Sequence, residues 1–412
     1  VVYGLACMIG FMTGLEIPLI TRINESYESL RENISSVMEY DYYGALLGGA
    51  LFAFVLLPFL GLTYTPVLIG SLNLLVASLI LWTFPDHLTR PSILNIQFAV
   101  LLMASILAFA VAKPIILYGE QHKYKDKIVY QEQTRYQKIV VTQWKDDYWL
   151  FINGSTQFST YDEERYHEPL VHPLLGLIKE RKDILLLGGG DGLAAREILK
   201  YPDVENLTLV DLDPAMTQLA RQDKIFLGIN HGSLNDPRVR VINQDAYQFI
   251  KNSVDLYDAV IIDLPDPKSV SLSLLYSLGF YKMVEKHLKP FGAMVTQSTS
   301  PLYSPEAFLC IKKTLEAAGF STLPYQNSVP SMGQWGWVLG VRQKAMPAQR
   351  LKQDLTALEF ADIKTRFLNR DAMISMAHFG KGLFEKEAQI EPNTQFDHNI
   401  LKYYRQGSWD LY

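Results

Sequence analysis

Five aspartates fall at the ends of apolar runs whose composition suits buried strands. Asp191 lies in the loop Gly188-Gly-Gly-Asp-Gly192 after Asp183-Ile-Leu-Leu-Leu187, and Asp211 closes Leu207-Thr-Leu-Val210. Asp245 follows Val239-Arg-Val-Ile242, while Asp263 and Asp266 follow Ala259-Val-Ile-Ile262 in Asp263-Leu-Pro-Asp266-Pro. Carboxylates gathered in one crevice can take protons and hold cations. The glycine loop lets a ligand approach the backbone closely at a helix start. It is not a dinucleotide fingerprint, because with Gly188 and Gly190 in place the third glycine would fall on Leu193. An acid about 20 residues further on fits a nucleoside whose ribose hydroxyls Asp211 accepts. Dinucleotide and sulfonium-nucleoside sites share that pattern, and Asp245 is then placed to receive an adenine amino group. No metal ligand set is visible. His167 and His172 in His-Glu-Pro-Leu-Val-His are spaced one residue too far for a zinc-protease helix, with Pro169 between them. Two cysteines, Cys7 and Cys310, are too few for a disulfide framework or a cysteine metal site.

The elements that must position these carboxylates alternate strand and helix. A strand at 183–187, a helix at 193–201, strands at 207–210, 239–242 and 259–262, and later strands at 293–297 and 336–341 imply a mostly parallel sheet. Ligands then sit at the carboxyl ends of its strands. Upstream, residues 134–160 alternate polar and apolar with breaks at Lys145-Asp-Asp and Asn153-Gly154, the pattern of a small antiparallel meander. A helix from about Glu164 carries Tyr166 and His167. The expected fold is therefore a multi-span helical membrane domain (1–118), a small antiparallel β-domain (119–175), a Rossmann-like, methyltransferase-type α/β domain (176–345) and a helical C-terminal extension (346–412).

The membrane assignment rests on charge. Of 38 basic and 43 acidic residues, the first 118 positions hold only four and seven. Net charges of −3 there and −2 in the remainder leave no basic face for nucleic acid. The 49% hydrophobic content excludes disorder. No charge occurs from Tyr42 to Pro85, a run long enough for about two crossings of a ~30 Å hydrocarbon core. Spans are expected at about 1–20, 43–62, 67–84 and 93–117, the middle pair broken at Pro58, Gly61 and Tyr64-Thr65-Pro66. The chain opens on Val-Val inside an apolar run with no basic segment or cleavage site before it, so a signal peptide is not expected and upstream spans are. Lys113, Lys123, Lys125 and Lys127 follow the last span, whereas the expected 21–41 loop has two arginines against five acids. That asymmetry puts the residues after 118 in the cytoplasm. Glu16 reads equally as an amine contact near Asp41 or as an interfacial carboxylate. Gly44, Gly48 and Gly49 suggest close helix packing.

Together, Gly188-Gly-Gly-Asp191-Gly, Val210-Asp211-Leu-Asp213, Asp263-Leu-Pro-Asp266-Pro and Tyr166-His167-Glu168 resemble the spermidine synthase (polyamine aminopropyltransferase) family. Tyr136-Gln137-Lys-Ile, Gly154 with Gln157, Gln297-Ser-Thr-Ser-Pro301 and Gly333-Gln-Trp-Gly336 extend the likeness over about 130–342. The apolar part, with Gly14-Leu-Glu-Ile-Pro18 and Asp41-Tyr-Tyr-Gly-Ala-Leu-Leu-Gly48, is similar to the bacterial branch that carries an N-terminal multi-span domain, placing it in the inner membrane in contact with lipid. The resemblance implies aminopropyl transfer from decarboxylated S-adenosylmethionine to a diamine such as putrescine, giving a longer polyamine and 5′-methylthioadenosine, with no resident cofactor and no metal. It implies Asp263 as proton acceptor and Asp266, Tyr166 and His167 around the acceptor amine. Asp191 would sit beside the aminopropyl ammonium, and Gln137, Gly188, Gly190, Asp211, Asp245 and Ala246 along the thioadenosine. An anion at 191 repels the carboxylate of ordinary S-adenosylmethionine, which selects the decarboxylated donor.

Some positions depart from the family pattern. Asn153 replaces a common Asp, Ala246 a glycine, and Val270 a proline lining the thioadenosine pocket. Pro330-Ser-Met-Gly333 lacks a tyrosine that would line the amine pocket. The extension carries no evident chemistry and is expected to pack on the catalytic domain or on a neighbouring subunit of a homo-oligomer. Two alternatives compete: a methyltransferase, which needs no acid at 191, and a non-catalytic polyamine sensor or transport-coupled membrane protein.

Overall fold

The structure is a computed structural model that describes residues 2–24, 29–83 and 91–409. The end of the third expected span and the loop after it lie outside the described residues. The chain divides into two compact units, Val1–Lys125 and Asp126–Tyr412.

The first unit is helical: α1 (Val2–Asn24), α2 (Leu30–Leu51), α3 (Leu57–Thr83) and α4 (Pro91–Gln121), with one π-helical turn, Phe52–Leu56, joining α2 to α3. Among the described residues, four stretches are long and apolar enough to cross a membrane: Tyr3–Arg22, Arg31–Gly61, Tyr64–Thr83 and Ser92–Ala112. The break between the middle two is at Gly61, whose φ of 64° and ψ of −175° leave the helix. The Thr65 hydroxyl donates to the freed carbonyls of Gly61 at 2.6 Å and Leu56 at 3.2 Å. The second stretch begins some twelve residues before the expected 43. Arg31, Glu32, Glu39 and Asp41 belong to α2 rather than to a loop, because a loss of charge marks apolar depth and not the start of a helix. Asn33 Nδ2 donates to the Thr21 carbonyl at 2.7 Å, tying α2 to the end of α1. Glu16 is exposed on α1.

The second unit opens with an antiparallel meander, β1 (Lys127–Gln133), β2 (Lys138–Trp144), β3 (Asp147–Ile152) and β4 (Ser155–Ser159). Its first strand precedes the expected start at 134. Asn153 (φ 51°) and Gly154 (φ 81°) form the tight β3–β4 turn, and Asn153 Oδ1 accepts the Lys138 N–H at 2.9 Å, so asparagine serves there as aspartate would. Helix α5 (Glu164–Leu177) leads into a seven-stranded sheet. In chain order this comprises β5 (Asp183–Gly188), α6 (Leu193–Ile198), β6 (Asn206–Asp211), α7 (Pro214–Gln222), α8 (Lys224–Asn230), β7 (Val239–Asn243), α9 (Ala246–Asn252) and β8 (Tyr257–Asp263). There follow α10 (Val270–Leu274), α11 (Leu278–Lys286), β9 (Leu288–Gln297), α12 (Pro305–Ala317), β10 (Phe320–Val329) and β11 (Gly333–Arg342). The extension supplies α13 (Ala348–Thr356), α14 (Arg370–Met376) and α15 (Asn399–Arg405).

Strand order is β10-β11-β9-β8-β5-β6-β7, parallel from β9 through β7, with the hairpin β10–β11 antiparallel. Strand β10 is absent from the expected set. The run Ile184–Leu187 is fully buried because it faces helices on both sides: Ile184 and Leu186 join one apolar cluster, Leu185 and Leu187 the other. Each such side chain contributes roughly 1.5–3 kcal/mol by leaving water. Chain order reverses between β5 and β8, and ligands in such sheets sit outside the strand ends at that point.

Candidate active site

The crevice lies at the carboxyl ends of β5, β6 and β8, and glycines let those ends approach. Gly188 (φ 84°) pairs in register with Asp263, and a Cβ there would lie 2.0 Å from the Asp263 carbonyl oxygen. A Cβ on Gly190 would lie 2.5 Å from Asp211 Oδ2, the atom that accepts the Gly190 N–H at 3.1 Å. Helix α6 is shorter than the expected 193–201, ending at Ile198. Asn230 Nδ2, from α8, donates to the Asp191 carbonyl at 3.0 Å and holds the loop.

Four of the five expected carboxylates are brought together with their acidities perturbed. Asp211 accepts N–H groups from Gly190 and Asp213, yet burial, aided by the charge of Asp191, pushes its carboxyl up to about 6. Asp191 accepts the Leu193 N–H at 2.8 Å; burial raises it while the charge of His167 opposes. Asp263 Oδ1 accepts the Tyr166 hydroxyl at 2.6 Å, leaving Oδ2 for a substrate proton. Burial pushes Asp263 up to about 6, with His167 and Tyr166 pulling down and Asp191 pushing up. Asp266 is raised by burial and opposed by Lys268. Burial is the main cause in each case, and a cationic ligand would stabilise the ionised form of such buried carboxylates.

Asp245 stands apart. It caps α9, accepting the Gln248 N–H at 2.9 Å, and Ala246 is the buried first residue of that helix. Gln137 lies in the β1–β2 turn. There the Thr134 hydroxyl accepts the Gln137 N–H at 3.0 Å and donates to Asp213 Oδ2 at 2.8 Å, pinning that turn to the end of β6.

Tyr166 and His167, neighbours in sequence, have different partners. Tyr166 goes to Asp263, whereas His167 Nδ1 meets the Glu163 carbonyl at 2.9 Å and Glu163 Oε2 at 3.0 Å. Burial alone would make this imidazole less basic, but the hydrogen bond and charge of Glu163, with Asp191 and Asp263 beyond, raise it instead. Burial disfavours the Glu163 carboxylate in turn, and His167 and Arg196 overcome that and hold it ionised. Arg196 and Arg366 reach Glu163 Oε1 at 2.8 and 2.7 Å. The pair places an imidazolium among the crevice aspartates. Glu163 escaped the sequence reading, although its four-residue offset from His167 on one helix was a usable signal.

The extension also takes part. Glu168 receives the backbone N–H groups of Arg366, Phe367 and Leu368 at 2.6, 2.9 and 2.8 Å, clamping the 366–368 segment onto α5. Asp266 Oδ2 accepts the Tyr404 hydroxyl at 3.0 Å, and Gln297 Nε2 lies 3.4 Å from Oδ1. The extension thus packs on the α/β domain and brings Tyr404 to Asp266, a contact that the sequence reading of 346–412 did not assign. A tyrosine 138 residues from its partner leaves no local trace in the sequence.

The chain is similar to several known proteins. Residues 163–354 match the family described as "Spermine/spermidine synthase domain". A protein of Oceanobacillus iheyensis named polyamine aminopropyltransferase is 38% identical over 416 residues, covering all of this chain and 79% of the relative. Polyamine aminopropyltransferase 2 of Aquifex aeolicus is 40% identical over 405 residues, with 98% and 79% covered. A crystal structure of spermidine synthase in complex with the transition-state analogue AdoDATO superposes with a TM-score of 0.57 at 22% identity, over 64% of this chain and 89% of that one. The last likeness establishes the fold.

Proposed function

The chain belongs to the spermine/spermidine synthase family, and on that premise we propose how its crevice divides the work of a polyamine aminopropyltransferase. The enzyme moves the aminopropyl group of decarboxylated S-adenosylmethionine to an amine, giving a spermidine-type polyamine. The observation that carries the division of labour is Asp263: a carboxylate poised near neutrality, hydrogen-bonded by Tyr166 and three residues from Asp266 at the same strand end. The donor lies along the glycine loop, its ribose hydroxyls toward Asp211, its adenine toward Asp245 and its ammonium beside Asp191, with Gln137 along the thioadenosine. A putrescine-like diamine lies across Asp263 and Asp266.

A diamine is mostly doubly protonated at pH 7 because alkylammonium groups titrate near 10. One ammonium stays charged against Asp266. The other gives its proton to Asp263 Oδ2, freeing a lone pair. That nitrogen attacks the methylene carbon beside the sulfonium, the C–S bond breaks, and its electron pair returns to sulfur, leaving neutral methylthioadenosine. The leaving group is already activated, so the protein's tasks are positioning, proton removal and cation binding. The His167 imidazolium keeps Asp191 and Asp263 from both seeking protons. Incubating purified protein with donor and several diamines tests the reading. Methylthioadenosine and a longer amine should appear together, and release of neither would overturn it.

Asp191 supplies donor selectivity. Asp191→Asn should weaken binding of the decarboxylated donor by ~10- to 100-fold, the loss of one charge-assisted contact. It should also narrow the preference over ordinary S-adenosylmethionine. Calorimetry with both nucleosides checks this, and unchanged affinity and selectivity would remove Asp191 from the donor site.

The four apolar helices support anchoring of this enzyme in a membrane, as in the multi-span branch of the family. The basic residues after α4, Lys123, Lys125 and Lys127, support a cytoplasmic catalytic unit with access to soluble donor and amine. A reporter fused after Tyr412 should be active on the cytoplasmic side. Activity confined to the opposite side would refute the orientation.

A further inference from the structure

Tyr404 is held in place from three directions. Helix α15 is tied to α10 by His398 Nδ1 against Ser273 Oγ at 2.7 Å and by Asn393 Nδ2 donating to the Ser273 carbonyl at 2.8 Å. The Trp409 indole N–H donates to the Tyr404 carbonyl at 2.8 Å, and the two rings lie 4.5 Å apart. Trp409 also packs against Tyr303, ring centroids 5.9 Å apart, and the Ser408 N–H donates to the Tyr303 carbonyl at 2.7 Å. Tyr303 in turn occupies the space over Gly333, where a Cβ would lie 2.7 Å from its hydroxyl. Three aromatic rings thus stand on the Asp266 side of the crevice, next to the segment Pro330-Ser-Met-Gly333. The family match ends at residue 354, so Tyr404 and Trp409 lie beyond the shared domain.

We infer that Tyr404 is a specificity-determining residue of the acceptor-amine subsite, orienting Asp266 toward the bound ammonium and closing the subsite beyond it. The inference rests on the aminopropyl-transfer reading. With Oδ2 of Asp266 engaged by the phenol, and with Thr299 also beside this carboxylate, Oδ1, where Gln297 makes a long contact, is the oxygen left for the amine. The Tyr404 ring is 6% exposed and backed by Trp409, so an amine chain passing Asp266 meets a wall. Lys268 Nζ stands 6.0 Å from the centre of that ring, and a further ammonium displaced toward it would face a like charge. A diamine fits this subsite, and a triamine does not.

The test uses the full chain and its variants Tyr404→Phe and Tyr404→Ala, with 1,4-diaminobutane, spermidine and the decarboxylated donor. Tyr404→Phe keeps the ring and loses one hydrogen bond to a charged group, so KM for the diamine should rise about tenfold. KM for the donor should stay within about twofold, a split that general loosening of the fold does not produce. Tyr404→Ala should raise the diamine KM further and bring the kcat/KM values of diamine and triamine closer by about tenfold. Should the alanine variant fail to fold, Tyr404→Phe alone decides. An unchanged diamine KM in Tyr404→Phe, or a donor KM rising by the same factor, overturns the inference. Native enzyme that releases no methylthioadenosine with any amine would overturn the reaction reading and this inference with it, a failure told apart because it appears before any substitution.

Discussion

Asp263→Asn lowers turnover by ~10²–10⁴-fold, the usual worth of a positioned general base. The amide keeps the shape and still accepts the Tyr166 hydroxyl, but it cannot take the proton that must leave the amine. Donor affinity should barely change, because the thioadenosine contacts belong to the β5, β6 and β7 ends and the β1–β2 turn. The pH dependence carries a second signature. Burial raises this carboxyl to about 6, and the reaction needs it ionised. Native kcat/KM for the amine should therefore hold above about pH 6 and fall as the pH drops through it. In Asp263→Asn the part of that acid limb due to Asp263 should be lost, and residual activity should climb as the free amine fraction grows toward pH 10. Near-normal turnover from pH 7 to 9 would remove Asp263 from the role of base. Asp266→Asn separates binding from chemistry, since losing the cation anchor raises the KM for the amine as well as slowing the reaction.

Gly188→Ala should damage both fold and site. The added Cβ would lie 2.0 Å from the Asp263 carbonyl oxygen, and the residue sits at φ 84°, a conformation that L side chains rarely adopt. Neither neighbour can yield cheaply, because both atoms belong to adjoining parallel strands. A cost of roughly 3 kcal/mol or more is expected from overpacking with backbone strain. For the unit Asp126–Tyr412, at an unfolding entropy of about 2.1 cal/mol/K per residue, that corresponds to a Tm lower by about 5 °C or more. Turnover should fall with it, since Asp263 moves with its own carbonyl. Gly154→Ala is the control: its φ is also positive, at 81°, but nothing lies within 4 Å of the new Cβ, so its loss should be near 1 kcal/mol. Thermal unfolding of the two variants beside native protein decides. A Gly188→Ala melting point within about 2 °C of native would mean the β5 and β8 ends are not pressed together.

The sequence by itself determined the parallel sheet, the strand-end crevice and four of the five aspartates placed there. Buried parallel strands require unbroken apolar runs, and ligand groups in such sheets collect at the residue where each run stops, so strand ends and chemistry are read together. It also located the apolar unit, because the absence of charge over forty residues is a property of composition alone. Where α2 begins was not determined. Charged residues at 31–41 continue a helix as well as a loop does, and only backbone geometry separates them. Strand β10 was hidden because polar residues and Pro324 interrupt its apolar pattern, and only its pairing with β11 reveals it. The side-chain pairings were decided by tertiary structure. Tyr166 and His167 are adjacent, yet one reaches Asp263 and the other Glu163, because successive residues on a helix point about 100° apart. Tyr404 and Arg366 reach the site from a segment with no motif of its own, carried there by the Glu168 clamp and the packing of α15. Such contacts join residues 138 and 203 positions apart, and a hydrogen bond across that separation leaves no periodicity, spacing or composition to read.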